Sequence, residues 1–183
     1  MWSPALIDSK GQFILGGKDG ASIPKDAAVL GEYGGDDLIP YGVEVDSKTK
    51  KYQWGYLDLK GKIILKPKWS FALPFSNGLA PVCIGEAKPT RHSITGMTME
   101  GSYHYINKTG EIAINGDWRL ATPFDQFGYA LVCPEPEEST TSPPWLVLNK
   151  NGKLWSPSTS LSNRWSYRNE RLVVRNQIFD MQG

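Results

Sequence analysis

Histidine, cysteine and paired carboxylates are the residues that could carry chemistry in this chain of 183 residues, and their spacing decides which chemistry. The two histidines, His92 and His104, lack the HxxxH or HExxH spacing of a zinc site. The two cysteines, Cys83 and Cys133, have no CxxC partner, and no serine lies in a GxSxG nucleophile elbow. We therefore predict that the protein has no metal site, binds no cofactor and is not an enzyme.

Two groups of acidic residues are dense enough to suggest the paired carboxylates of a glycosidase. One is Asp36-Asp37, and the other is Glu135, Glu137 and Glu138. Both lie in segments rich in Gly, Ser, Thr or Pro, a composition typical of solvated loops. We interpret them as solvated charges. Catalysis would instead require a deep pocket in which two ionisable groups with shifted pKa values converge.

A turn sequence recurs along the chain and predicts how the chain is built. In each copy an apolar strand ends in Asp or Asn, and Gly follows three residues later. The side-chain oxygen can bond its own backbone two residues on, and Gly permits a positive φ, so each copy predicts a hairpin corner. The copies begin at Asp8, Asp58, Asn107, Asn149 and Asp180. Because Asp exchanges with Asn between copies, this residue acts as a hydrogen-bond acceptor and not as a catalytic base.

A second recurring element precedes the later corners and has the alternating pattern of a half-buried strand. It reads GLAPVC at residues 78–83 and GYALVC at 128–133, with degenerate copies at 42–45 and 171–174. Cys83 and Cys133 therefore occupy one position of successive copies, and such positions in packed units lie roughly 10 Å apart. That distance is beyond disulfide reach, so we predict two buried thiols that act as small apolar side chains.

The best copy, residues 54–82, resembles the WG-repeat family, named for the Trp-Gly pair that stands here as Trp54-Gly55. The family pattern W-G-Y-[IL]-D-x-x-G-K-I-[IV], then Pro, then F-[SD]-x-G-x-A-x-V, is matched throughout this copy. The next copy departs from it and has Tyr103-His104 in place of Trp-Gly. The resemblance implies a β-rich repeat module, often without an assigned activity, and so it implies architecture more than chemistry.

The composition agrees with an all-β fold. Seven Trp, eight Tyr and six Phe accompany 19 Gly and 13 Pro, which favours many short strands joined by turns. We predict one domain of tandem antiparallel three-stranded repeat units, forming either a small propeller-like ring or an open twisted β array, or part of a longer array. The units are roughly 1–45, 46–82, 83–133 and 134–183. Residues 24–30 are an exception, because their sequence predicts one or two helical turns.

Insertions fall at one junction of the repeat, between the Gly-x-Ala-x-Val strand and the next corner strand. Loops at residues 85–102 and 134–144 are inserted there, and the turns at 46–51 and 175–176 lie at the same junction. Insertions at one junction gather on one edge of a repeat array, which is often its working edge. Two interpretations stay open: this edge binds a partner, or it is only where extra length is tolerated.

The aromatic residues divide into two groups. Trp69 and Trp118 stand at near-equivalent positions of successive copies, which favours packing in the core. Trp155, Trp165 and Tyr167 lie in a less regular region and are candidates for exposure. Exposed aromatic side chains serve a protein-binding hot spot or a sugar-stacking platform equally well.

We predict a non-catalytic module that binds another protein through the insertion edge, in the manner of an inhibitor or immunity protein. The alternative is a carbohydrate- or cell-wall-binding module that uses exposed aromatics. The candidate partner-binding residues are Arg91, His92, Met97, Met99, Glu135, Glu137, Glu138, Trp155, Trp165 and Tyr167.

Charge and hydropathy bound the other partners. The 20 basic and 19 acidic residues form no dense Lys/Arg stripe, so no nucleic acid is expected. No stretch approaches the roughly 18 apolar residues of a membrane span, and residues 2–11 lack the pattern of a signal peptide. We therefore expect a cytoplasmic protein without membrane contact.

Overall fold

The protein is built from β-strands throughout its described part. A computed structural model describes residues 4–92, 96–135, 145–156, 165–168, 171–174 and 177–180, with only the backbone described at 90–92, at 96–98 and from 165 onward. The strands are β1 (Ala5–Ile7), β2 (Phe13–Gly16), β3 (Ala27–Leu30), β4 (Leu38–Asp46), β5 (Lys51–Asp58), β6 (Ile63–Trp69), β7 (Phe71–Ala72), β8 (Ala80–His92), β9 (Gly96–Ile106), β10 (Ile112–Ala121), β11 (Tyr129–Pro134), β12 (Leu146–Asn149), β13 (Leu154–Trp155), β14 (Trp165–Arg168), β15 (Arg171–Val174) and β16 (Gln177–Asp180).

The strands pair antiparallel in chain order, as a meander does. Within the described residues this pairing gives four sheets: β1-β2, the four-stranded β3-β4-β5-β6, the seven-stranded β7 to β13, and β14-β15-β16. The all-β, antiparallel prediction is confirmed, and none of the sheets closes into a barrel within the described ranges. The described part also contains no helix long and apolar enough to cross a membrane.

The four described corners have the predicted chemistry. At Asp58 the carboxylate Oδ1 accepts hydrogen bonds from the amides of Lys60 and Lys62, both at 2.9 Å. Asp8, Asn107 and Asn149 make the same pair of bonds, two and four residues on. Gly61 has φ +78, and a Cβ there would lie 1.8 Å from the carbonyl oxygen of Ser22, so only glycine fits. The side chain of the fifth copy, Asp180, lies outside the described residues.

The third strand of each unit bends, so that its first part pairs within the unit and its second part pairs with a strand of the next unit. Trp69, at the end of β6, pairs with Trp54, whereas Phe71 in β7 pairs with Cys83 of the following unit. In β10, Trp118 likewise pairs with Tyr103, and Leu120 pairs with Cys133. The register shifts at both places, as it does where a β-bulge turns a strand out of its sheet.

A buried tyrosine fixes each bend. The Tyr56 hydroxyl donates to the carbonyl oxygen of Leu73 at 2.8 Å, and Tyr105 donates to that of Thr122 at 2.7 Å. Both side chains are fully buried. Each ring packs against the tryptophan and the phenylalanine of its own unit, with ring centroids 4.7 to 5.8 Å apart. The prediction that Trp69 and Trp118 belong to the core is therefore confirmed.

Two predictions about local structure are wrong. Residues 24–30 contain strand β3, at Ala27–Leu30, where helical turns were expected; pairing with β4 overrides their weak helical propensity. Residues 85–102 were expected as a loop, but their described parts, 85–92 and 96–102, extend the paired strands β8 and β9. The buried state of Cys83 and Cys133 is confirmed, and burial raises the pKa of both thiols.

The corner can be tested by exchanging its acceptor. We expect Asp58→Ala to lower the free energy of unfolding by about 1 kcal/mol, because two backbone amides lose their acceptor. Asp58→Asn should keep a free energy of unfolding close to that of wild type, since Asn107 and Asn149 accept the same hydrogen bonds in other units. Urea denaturation measures both variants, and an Asn variant as unstable as the Ala variant would contradict the assignment.

The two anchoring tyrosines predict a loss of stability in alkali. Burial raises the pKa of Tyr56 and Tyr105 well above the ordinary 10.0, so the folded state keeps these protons to a higher pH than the unfolded state does. Their contribution is full below pH 10 and declines as the pH rises above it. Urea denaturation across that range should show a shallower decline in the Tyr56→Phe, Tyr105→Phe double variant. An unchanged slope would show that other groups cause the loss.

Candidate functional site

Two insertions of the repeat junction lie side by side in the fold. The first is the 46–51 turn between β4 and β5. The second is the part of the β8–β9 hairpin beyond the Ile84–Ser102 pair, which we call the arm; its pairs run from Lys88 with Glu100 to His92 with Gly96. A cleft of about 640 Å³ separates the turn from the base of the arm. Its lining residues are Asp46, Thr49, Lys50, Lys51, Tyr52, Trp54, Ser70, Phe71, Glu86, Ala87, Pro89 and Met99.

The floor of this cleft is aromatic. Tyr52 and Trp54 alternate along β5 and so lie on one face of the strand, with ring centroids 6.4 Å apart. Trp54 meets Phe71 of β7 edge to face at 5.1 Å. All three side chains are half-buried, unlike Tyr56, which is the next residue on that face and is fully buried. The aromatic row therefore runs from the core to the edge of the sheet.

A second cleft, of about 290 Å³, is also lined by Trp54 and Phe71. It is lined by Gly31 and Glu32 and by the connections that follow the two strand bends, residues 72–74 and 121–123. Trp54 and Phe71 thus belong to the lining of both clefts. We call the two clefts together the groove.

The Trp-Gly pair explains how Trp54 is positioned. A Cβ on Gly55 would lie 2.4 Å from the carbonyl oxygen of Leu65, so glycine lets the bulge of β6 approach β5 closely. In the next unit His104 occupies this position. There the facing bulge contains Gly116 and the positive-φ residue Asp117, and the His104 imidazole makes hydrogen bonds with Asn115 at 3.0 Å and Ser102 at 3.1 Å. This is why the second copy departs from Trp-Gly without losing the bend.

Charged side chains surround the rim of the aromatic cleft, and most of them are engaged. Asp46 accepts from the Lys48 amide and the Thr49 hydroxyl; the Thr49 bond foremost, then the Lys48 bond, lowers the pKa of its carboxyl group. Lys50 bonds Glu44 at 2.9 Å, which raises the pKa of the lysine.

Two further rim charges differ in their surroundings. Glu86 lies 3.5 Å from Lys88 across exposed surface. Lys51 is exposed and lies opposite Asp46 in the β4–β5 register, close enough to help lower the pKa of that carboxyl group, but it is in no ion pair within the part of the chain that the structure describes. Because Asp46 is already held by its own turn, Lys51 is the rim cation that a ligand carboxylate can bind.

Arg119 connects the base of the arm to the end of β11. Its guanidinium donates to the Glu100 carboxylate on β9 and to the Cys133 sulfur at 3.7 Å. Glu135 follows β11 directly, is exposed, and is close enough to Cys133 to help raise the pKa of that thiol, although burial has the larger effect. The start of the 134–144 insertion thus lies near the arm, at the next junction along the array.

The structure brings only some of the predicted binding residues together. Arg91, His92, Met97 and Met99 are all in the arm, where Arg91 pairs with Met97; of these side chains only Met99 is described, and it lines the cleft. Glu137 and Glu138 lie outside the described residues, as do the side chains of Trp165 and Tyr167 on β14.

Trp155 is separate from the groove. It lies on β13, at the far edge of the seven-stranded sheet, with Tyr129 at 6.2 Å and the Lys153 ammonium 5.0 Å above its ring. These contacts cover part of the surface that a sugar would need for stacking.

Sequence reasoning did not single out Tyr52, Trp54, Phe71 or Lys51 as site residues. The signal that would have found Tyr52 and Trp54 is the alternation of Tyr52, Trp54 and Tyr56 in a strand that begins directly at the 46–51 turn. An aromatic row that starts at an inserted turn has its outer end near the edge, where a partner can reach it.

Comparison with known families agrees with this repeat structure. The family model described as "WG containing repeat" matches residues 54–86 and 105–133. The chain therefore carries two WG-containing repeats, which confirms the resemblance read from Trp54-Gly55. No curated protein and no solved structure matches the chain.

Proposed function

We propose that this protein is a non-catalytic binding module that holds an extended segment of a partner protein in the groove, between the 46–51 turn and the arm. The observation that carries the proposal is the half-buried aromatic floor of Tyr52, Trp54 and Phe71, of which Trp54 and Phe71 line both clefts. Aromatic side chains in a concave site are typical of protein-binding hot spots. Two clefts that share lining residues suit an extended segment better than a compact small molecule.

The surroundings of the groove support binding over catalysis. The carboxylate of Asp46 caps its own turn through both oxygens and is thereby held in place. The thiols of Cys83 and Cys133 are buried with raised pKa values, which makes them weak nucleophiles. We extend the proposal to an inhibitor or immunity-type role, in which occupying the partner is itself the activity.

We also propose that the three-stranded units form an open twisted array. At each bend, as at Trp69–Phe71, the strand changes its pairing partner from its own unit to the next unit. Neighbouring units are therefore joined by hydrogen-bonded strands. Shared strands favour a continuous coiled meander over the separate blades of a propeller.

The proposal predicts which variants lose the partner. A partner captured from the source cells and identified by mass spectrometry should bind at least about tenfold more weakly to Tyr52→Ala, because an aromatic contact at a hot spot is lost. A trimmed arm, with residues 90–98 replaced by Asn-Gly between the paired Pro89 and Met99, should also weaken binding. Titration calorimetry with the purified partner measures the dissociation constants.

The matched control is Phe13→Ala, which removes an exposed aromatic side chain from strand β2 of the first unit, outside the lining of the groove. It should bind as wild type does. A partner that binds Tyr52→Ala and the trimmed arm with unchanged affinity would contradict the proposal. Binding to glycans that is lost in Tyr52→Ala, without any protein captured, would instead favour a carbohydrate-binding module.

A further inference from the structure

The aromatic cleft has two kinds of surface that a ligand must satisfy together. Its floor is apolar: the rings of Tyr52, Trp54 and Phe71 and the side chain of Met99 are all half-buried and line the same space. Apolar surface of this kind is stabilised when another apolar side chain removes it from water. A purely polar or charged ligand would leave that surface wet.

The rim adds a positive charge. Asp46 is satisfied within its turn, Lys50 is paired with Glu44, and Glu86 has Lys88 beside it. Among the described rim residues this leaves Lys51 as the cation without a direct ion pair, since its acidic neighbour Asp46 is bound within the turn. An unpaired lysine next to an apolar cleft attracts a carboxylate and rejects a cation, so it contributes specificity as well as affinity.

The sheet around Lys51 carries the same sign of charge. Exposed lysines in the 46–51 turn and on or directly before the edge strand β6 outnumber the acidic residues of that region: they are Lys48, Lys51, Lys62, Lys66 and Lys68. Lysine and proline on an edge strand also prevent pairing with further strands, which explains part of this pattern on β6. Lys51 is not on β6, and so edge protection does not account for it.

We propose that the groove selects an acidic segment of the partner protein, in which a large apolar side chain enters the aromatic cleft and a neighbouring Asp or Glu binds Lys51. This inference rests on the proposed function and specifies its ligand. The apolar side chain supplies the contact area, and the carboxylate fixes the register of the segment. The surrounding lysines steer acidic segments toward the groove and make the association sensitive to salt.

Panning a phage-displayed library of random peptides against the intact protein tests the inference. Enriched peptides should combine an aromatic or large aliphatic residue with a nearby Asp or Glu. Binding of a synthetic enriched peptide, followed by fluorescence polarisation, should weaken at least about tenfold in Lys51→Glu and should fall as salt is added. Lys51→Arg should keep most of the affinity, because it retains the positive charge.

The matched control is Lys60→Glu, which makes the same charge reversal at an exposed corner position outside the groove. Equal losses in Lys51→Glu and Lys60→Glu would reduce the effect to net charge and overturn the inference. Enrichment of basic peptides, or of none, would also overturn it. If a captured partner nevertheless lost affinity for Tyr52→Ala, the proposed function would stand while the acidic specificity failed.

Discussion

The hydrogen bond from a buried tyrosine hydroxyl to the carbonyl just beyond a strand bend is the interaction on which this architecture depends. A strand that leaves its sheet deprives its backbone of ladder partners, and a buried carbonyl without a partner is costly. Tyr56 satisfies the Leu73 carbonyl and Tyr105 satisfies that of Thr122. The bend in turn brings Phe71 against Trp54, and this contact forms the centre of the groove.

The corners and bends are the same in successive repeat units, whereas the segment that joins one unit to the next corner strand differs in length. The corner bonds are local, since Asp58 reaches no further than four residues along the chain, and glycine completes the turn. The junction on the other edge carries the 46–51 turn, the arm and the segment that starts after Pro134. Variation is tolerated there because it does not disturb the tyrosine-centred core, and the same variation builds a cleft between neighbouring units.

The local features of the fold could be read from the sequence, and the groove could not. The corners could be predicted because each one is formed by residues within four positions of each other, so Asn107 and Asp58 predict the same turn. The arm looked like a loop because Gly85, Pro89 and Gly96 interrupt its pattern, whereas cross-strand pairing makes it a hairpin. Trp54 and Phe71 meet only after the bend, a contact that periodicity along one strand does not encode.

The most direct test of the groove as the binding site is an NMR titration with the purified partner protein. The indole N–H resonance of Trp54 and the methyl resonance of Met99 report on the floor of the groove. The indole N–H resonance of Trp145, which is buried in another part of the core, is an internal control. If the groove is the binding site, saturation with the partner shifts the resonances of Trp54 and Met99 and leaves that of Trp145 unchanged. Shifts confined to Trp155 and Trp165, with Trp54 unmoved, would contradict it.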